Sequence, residues 1–153
     1  MENYTTVSEE DFQKARNAIK KARETASSKK IIFSAFNDDL NRKILEKEKI
    51  DILLIKLGGR KDRIKQRNSG FNQVLAKLAH KKEVAIGIDL DEILGSDKKE
   101  KTRILARLMQ NISICKKNNL NMVFLNENHT KNMYDLRALG LVLGMPTSMT
   151  KNL

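Results

Sequence analysis

The sequence predicts an α/β protein, a parallel sheet with helices outside it. Three observations carry this reading. Helical and strand patterns alternate along the chain. The strand segments, such as Ile50–Ile55 (Ile-Asp-Ile-Leu-Leu-Ile) and Val84–Ile88, are short, nearly continuous apolar runs, as strands buried on both faces are. No linker, low-complexity tract or internal repeat divides the 153 residues, so one domain over 1–153 is expected.

The elements follow in order. Ser8 is placed to cap a first helix, with Asp11 as its capping-box partner, and Phe12, Ala15, Ile19, Ala22 and Ala26 recur at helical spacing. Ser27 to Lys30 stops that pattern, and Ile31–Phe33 reads as a strand. Asn37 caps a helix through Leu40, Ile44 and Leu45. After the Ile50–Ile55 strand, Ser69 is the expected cap of a helix whose stripe is Phe71, Val74, Leu75, Leu78 and Ala79. Val84–Ile88 is the third strand. Asp97 caps a long helix carrying Ile104, Leu105, Leu108, Ile112 and Cys115, which Asn118-Asn119 ends. Met122–Leu125 is the fourth strand. A final helix from about Tyr134 turns Leu136, Leu139 and Leu143 inward and stops at Gly144.

This gives a helix followed by four strand–helix units. A closed barrel takes eight such units and about 250 residues. The chain is therefore either an open sheet or a reduced barrel with a gap that a partner covers. In either case the working face lies at the C-terminal ends of the strands, where Lys56–Ser69, Asp89–Ser96 and Asn126–Asn132 emerge as loops.

Composition narrows the classes of partner. Thirty Lys and Arg against 19 Asp and Glu leave a net charge of +11, a field that attracts phosphate polymers or anionic membrane surfaces, nucleic acid being the commoner case. The absence of Trp and the scarcity of aromatics weigh against a base-stacking platform. The single cysteine, Cys115, excludes an internal disulfide and a multi-cysteine metal knuckle, and its helical position reads as a small buried hydrophobe. A reducing, cytoplasmic compartment is expected. Met1–Tyr4 has no apolar core for a signal peptide, and no run approaches the roughly 20 apolar residues of a membrane span.

The densest chemistry lies in Lys56–Arg67, where Lys56, Arg60, Lys61, Arg63, Lys65 and Arg67 meet one acid, Asp62. Gly58-Gly59 allows close backbone approach and is expected to expose N–H groups to a ligand, while arginine forks match phosphate oxygens. No Gly-Lys-Ser/Thr follows, so this is not a P-loop. The competing reading is a tight turn with solvated charges. A second basic surface is expected on the long helix, where Lys99, Arg103, Arg107 and Lys117 lie away from Ile104, Leu108 and Cys115; a charged outer face is also what any surface helix carries.

A metal-dependent phosphoesterase is the alternative. Asp89, Asp91, Glu92, Glu127 and His129 fall on the predicted working face, where carboxylates and a histidine could hold a divalent ion and activate water. Against it, the only histidines, His80 and His129, form no His-x-His or His-x-x-x-His pair, and Asp89 and Asp91 point to opposite sides if that stretch is extended.

Gly58-Gly-Arg-Lys-Asp62, then Ser69-Gly-Phe-Asn-Gln-Val-Leu-Ala-Lys-Leu-Ala79, then Val84-Ala-Ile-Gly87, resembles the ribonuclease P protein component 3 family of archaea and eukaryotes. Tyr134-Asp-Leu-Arg-Ala138 resembles that family's later motif, and the resemblance covers Lys49 to Met145. It implies a TIM-barrel-like fold related to the PHP phosphoesterases without their metal-binding histidines, here as a reduced or incomplete barrel.

It also implies a role: a noncatalytic subunit that binds and activates the catalytic RNA of ribonuclease P for removal of 5′ leaders from precursor tRNA. The RNA would cleave with Mg²⁺, and this chain would bind no cofactor or metal of its own. The implied partners are the catalytic RNA, precursor tRNA indirectly, a small α/β (RRM-like) protein subunit and other ribonuclease P proteins. The family's basic positions map onto Arg60, Lys61 and Arg137, with Arg103 and Arg107 on the long helix; the loop cations Arg63, Lys65 and Arg67 complete the expected RNA-binding set. Two departures stand out. Arg63 to Asn68 intervenes where the family runs directly from Lys-Asp into Ser-Gly, and the family's opening strands are expected to be missing at the N-terminus.

Overall fold

Tyr-Thr-Thr-Val-Ser at residues 4–8 forms a strand, β1 (Tyr4–Ser8), which the apolar-run criterion passed over. Its residues are β-formers, but only Val7 is buried, so the segment has the composition of an edge strand without its hydrophobicity. The expectation that opening strands are missing is thus corrected for this one. The computed structural model describes residues 4–128 and 131–153. After β1 come α1 (Phe12–Thr25), β2 (Lys30–Ser34), α2 (Asp38–Lys47), β3 (Ile52–Leu54), α3 (Gln73–Lys82), β4 (Ala85–Asp89), α4 (Leu90–Gly95), α5 (Lys98–Lys117), β5 (Met122–Leu125), α6 (Met133–Val142) and α7 (Thr147–Thr150).

The five strands stand in chain order, and every neighbouring pair is parallel. Each connection advances one strand in the same direction, which with right-handed crossovers keeps the helices on one face. The register shows it. Val7, Phe33, Leu53, Ile86 and Met122 lie side by side across all five strands, and all are buried in the main core with Ala15, Ile19, Ile44, Leu75, Ile104 and Leu108 from the helices. On the opposite face Ile32, Ile52, Leu54 and Leu125 form a separate cluster that no helix residue joins. A β-carbon on Gly87 would meet Leu125 at 2.9 Å and Ile52 at 3.1 Å, so glycine is what lets those side chains close over the sheet's centre. The architecture is an α/β sheet of five parallel strands, arranged as part of a barrel and not closed into one.

Several local expectations change. Asp11, not Ser8, caps α1, accepting from the Lys14 N–H at 3.0 Å. Asn72, not Ser69, caps α3, accepting from the Leu75 N–H. Phe71 therefore precedes that helix, and Val74 is 61% exposed instead of lying on the inner stripe. Residues 89–96 are not a loop. Asp89 caps α4, and Asp-x-x-Glu at 89–92 was its signature. Asp91 consequently lies in a helical first turn instead of alternating with Asp89 on a strand. Asn37 and Asp97 cap as expected, and Gly144 follows α6 with φ +103°. Leu143 is buried as expected, while Leu136 and Leu139 are only partly so.

Candidate functional site

The loop after β3 is the most basic surface feature at the C-terminal ends of the strands, and its interior differs from expectation. The N–H groups of Gly58 and Gly59 are not open to a ligand. Gly58 donates to Glu92 Oε1 at 2.7 Å, Leu57 donates to the same carboxylate, and Gly59 donates to Glu100 Oε1 at 2.8 Å. Carboxylates of α4 and α5 fill the place an anion would take. Glu92 and Glu100 were missed as loop clamps because nothing in the sequence links them to residues 34 and 41 positions away.

Arg107 is the main correction. It was expected on the outer basic face of α5, yet it is 1% exposed. Its guanidinium donates to the carbonyls of Leu57 and Arg60, each at 2.8 Å, and contacts Asp62 at 3.2 Å. A buried charge is tolerable when its donors are satisfied and countered in this way. Arg60 is also turned inward, its side chain 9% exposed. It forms a two-pronged pair with Asp38 at 2.8 and 2.9 Å and donates to the Lys56 carbonyl at 2.5 Å. Two of the expected phosphate ligands are thus internal struts holding the loop's shape.

Four of the five remaining loop cations project outward, while Lys56 pairs with Asp89. Lys61, Arg63, Lys65 and Arg67 are exposed, and Arg63 and Gln66 exchange backbone hydrogen bonds at 2.9 and 3.3 Å, closing a tight turn with Ile64 fully exposed. Asp62 anchors the base of this turn. It accepts from the Asn68 N–H at 2.8 Å, and that bond, followed by Arg107 and by the nearby charge of Arg67, lowers its pKa against the opposing effect of burial. Asn68 also reaches Arg60 at 3.3 Å, so the two struts and the turn form one network.

Of the other expected site residues, Arg103 is exposed beside the loop clamp, 3.7 Å from Glu100. Arg137 is not brought to this surface. It lies on α6, half-buried, with its Nη2 3.5 Å from the Lys151 carbonyl and its Nε buried without a partner. Arg42 of α2, absent from the expected set, shares a cleft with Arg63 and Arg67.

The open face of the sheet bounds a cavity of about 1080 Å³, with Thr6, Ser34, Leu54 and Val123 on its floor and Lys56, Asp89 and Asp91 at its mouth. Asp89 is ion-paired with Lys56, and Asp91 accepts from the N–H groups of Glu127 and Asn128. Among the described residues no three His, Cys, Asp or Glu side chains gather as metal ligands; His129 lies outside the described residues. Cys115 is fully buried on the core side of α5, and burial pushes its thiol pKa up to about 12. No helix among the described residues is long and apolar enough to cross a membrane.

The model of a family described as RNase P subunit p30 matches residues 4–153. Ribonuclease P protein component 3 of Methanocaldococcus jannaschii is 36% identical over 103 residues, 65% of this chain and 42% of that protein. The component 3 protein of Methanosarcina acetivorans is 32% identical over 130 residues, 85% of this chain and 50% of the relative. The chain thus spans about half the length of the curated relatives it matches. A chain in the cryo-EM structure of archaeal ribonuclease P with mature tRNA superposes with a TM-score of 0.77 at 27% identity, covering 97% of this chain and 62% of that one.

Proposed function

The chain belongs to the RNase P subunit p30 family, and on that premise we propose that it is a protein subunit of ribonuclease P that binds the catalytic RNA through the turn Lys61–Arg67. The observation that supports this reading is the family match over residues 4–153, joined to a hydrogen-bonded turn that projects four cations from the C-terminal end of the sheet. A net charge of +11 favours a polyanion over a protein partner of ordinary charge.

In this reading Lys61, Arg63, Lys65 and Arg67 lie against RNA phosphates, and Arg103 extends the contact along α5. Arg60 and Arg107 act as positioning residues. Their guanidinium groups hold the carbonyls and carboxylates from which the turn springs, and they contribute little directly to the bound RNA. Arg137 serves the α6–α7 corner and a different contact. The catalytic RNA, with Mg²⁺, supplies cleavage of the precursor tRNA 5′ leader, and this chain supplies placement and charge. A small RRM-like protein subunit and other ribonuclease P proteins are the proposed protein partners.

Reconstitution tests the proposal. Catalytic RNA and the other protein subunits are assayed for precursor tRNA cleavage with and without this chain. The expected result is faster cleavage, or cleavage at lower Mg²⁺, when the chain is present. Equal rates in its presence and absence would overturn the assignment.

A further inference from the structure

The inner face of the sheet is covered at its centre and open at its edges. Ile32, Ile52, Leu54 and Leu125 bury one another there, and no helix residue joins them. The residues that touch this cluster and stay partly exposed are Ala85 of β4 and, on the two edge strands, Tyr4 of β1 and Val123 of β5. Among the described residues no strand pairs with the outer side of β1 or of β5. Beside that gap, α6 turns Met133 and Leu136 into the wall of the cavity of about 1080 Å³. Its Tyr134, Ala138, Leu141 and Val142 recur at i, i+4, i+7 and i+8, and all four are exposed, Val142 by 81%. A helix face of this kind is apolar without anything packed on it.

Strand number says what fits. A closed parallel barrel takes eight strands, and this sheet has five. The superposed chain of archaeal ribonuclease P has roughly 90 residues outside the match, enough for about three strand–helix units of roughly 30 residues each. A second copy of this chain suits the gap less well. It would make ten strands, and barrel diameter grows with strand number. The inward residues Thr6, Ser34, Ala85 and Gly87 are too small to fill a wider centre, and two chains of charge +11 repel each other. RNA suits it poorly as well, because Asp89, Asp91 and Glu127 line the cavity beside Lys56 and Lys131, over apolar Leu54 and Val123.

We propose that the open side, made of the free edges of β1 and β5 and the exposed face of α6, docks a polypeptide segment of three parallel strand–helix units, and that this segment need not be joined covalently to residues 1–153. The main core is complete without it, since Val7, Phe33, Leu53, Ile86 and Met122 are already buried against the helices. The chain therefore presents a formed edge to which a strand can add through main-chain hydrogen bonds. The added strands cover Val123 and Tyr4, and an added helix covers Tyr134, Leu141 and Val142. None of the residues assigned to RNA takes part, so this inference and the RNA-binding reading fail separately.

The test uses the full chain carrying Leu141→Cys. Leu141 is exposed and Cys115 is buried and unreactive, so the substituted position alone reports on the surface. The probe is the half of the Methanosarcina acetivorans component 3 protein that lies outside its match to this chain, co-expressed as a separate polypeptide. Light scattering after size exclusion should show a one-to-one complex, with maleimide labelling slowed about tenfold or more. Leu141→Asp with Val142→Asp in the otherwise unchanged chain should weaken the complex by about tenfold or more, the scale of one buried aliphatic side chain, and leave the melting temperature of the chain alone unchanged. The same segment fused after Leu153 controls for the divergence between the two sequences. Protection of the thiol in the fusion but not by the separate segment would overturn docking without a covalent link. Absence of protection in both would overturn the surface assignment. A dimer of this chain alone that protects the thiol would assign the surface to a second copy instead.

Discussion

The guanidinium of Arg60 occupies the space above Gly70. A β-carbon at that glycine would lie 2.4 Å from Nη2 and 2.6 Å from Cζ, and Gly70 also has φ +69°. Gly70→Ala should therefore expel Arg60 from its pair with Asp38 and strain the backbone as well. The expected cost is about 1–3 kcal/mol for the backbone conformation, with the displaced arginine adding to it. Urea unfolding measures it, and a midpoint equal to the wild type would contradict this packing.

Arg107 makes a second structural prediction. Arg107→Met keeps much of the side chain's bulk but leaves the Leu57 and Arg60 carbonyls without their donor. A buried acceptor left without its donor costs about 1–3 kcal/mol. Arg107→Lys should recover only part of this, since an ammonium cannot reach the same fork of acceptors. Denaturant midpoints for both variants check the order.

The exposed turn predicts a different signature. Replacing Lys61, Arg63, Lys65 and Arg67 together by Ala should weaken binding to any RNA duplex and flatten the plot of log affinity against log salt by roughly 0.7–0.9 per lost phosphate contact. The melting temperature should barely change, because these side chains are exposed. Unchanged affinity and slope would remove the turn from the interface.

The acid response of the turn follows from Asp62. The Asn68 N–H and then Arg107 hold its carboxyl below the ordinary value of 3.8. A depressed carboxylate contributes its anchoring fully above that ordinary value and loses it as the pH falls through the lower folded value. The Asn68 amide resonance should accordingly titrate with a midpoint below 3.8. A midpoint at or above the ordinary value would show that the anchor does not form.

Cys115 should be inert. Its thiol is buried, with a pKa of about 12, and thiolate is the reactive form. Iodoacetamide at pH 8 should label it only after denaturation, and rapid labelling of the native protein would contradict its place in the core.

Much of the fold was legible because burial leaves periodic marks. Ile50–Ile55 and Val84–Ile88 read as strands from their apolar runs, and Asn37 and Asp97 read as caps from the residues that follow them. β1 escaped because an edge strand does not need the hydrophobicity that reveals a central one. α4 escaped because its Asp89–Glu92 capping pattern follows directly on a strand and reads as its loop. The outward turn was legible for a similar reason: Lys61, Arg63, Lys65 and Arg67 crowd together in sequence, and their charge does not need tertiary contacts to be noticed.

By itself the sequence determined the alternation of parallel strands and helices, the basic character of the segment after β3, and the family motifs carried by Gly58–Asp62, Ser69–Ala79 and Tyr134–Ala138. Only the tertiary structure decided what each cation there does. Arg60 and Arg107 have the same chemistry as Arg63 and Arg67, and a charge in sequence does not show which way it faces. The pairing of Arg60 with Asp38, 22 residues away, and of Arg107 with Asp62, 45 residues away, turned the first two into struts and left the others exposed. The difference is made by carboxylates and carbonyls that the fold brings close, and long-range proximity leaves no periodic mark in a single sequence.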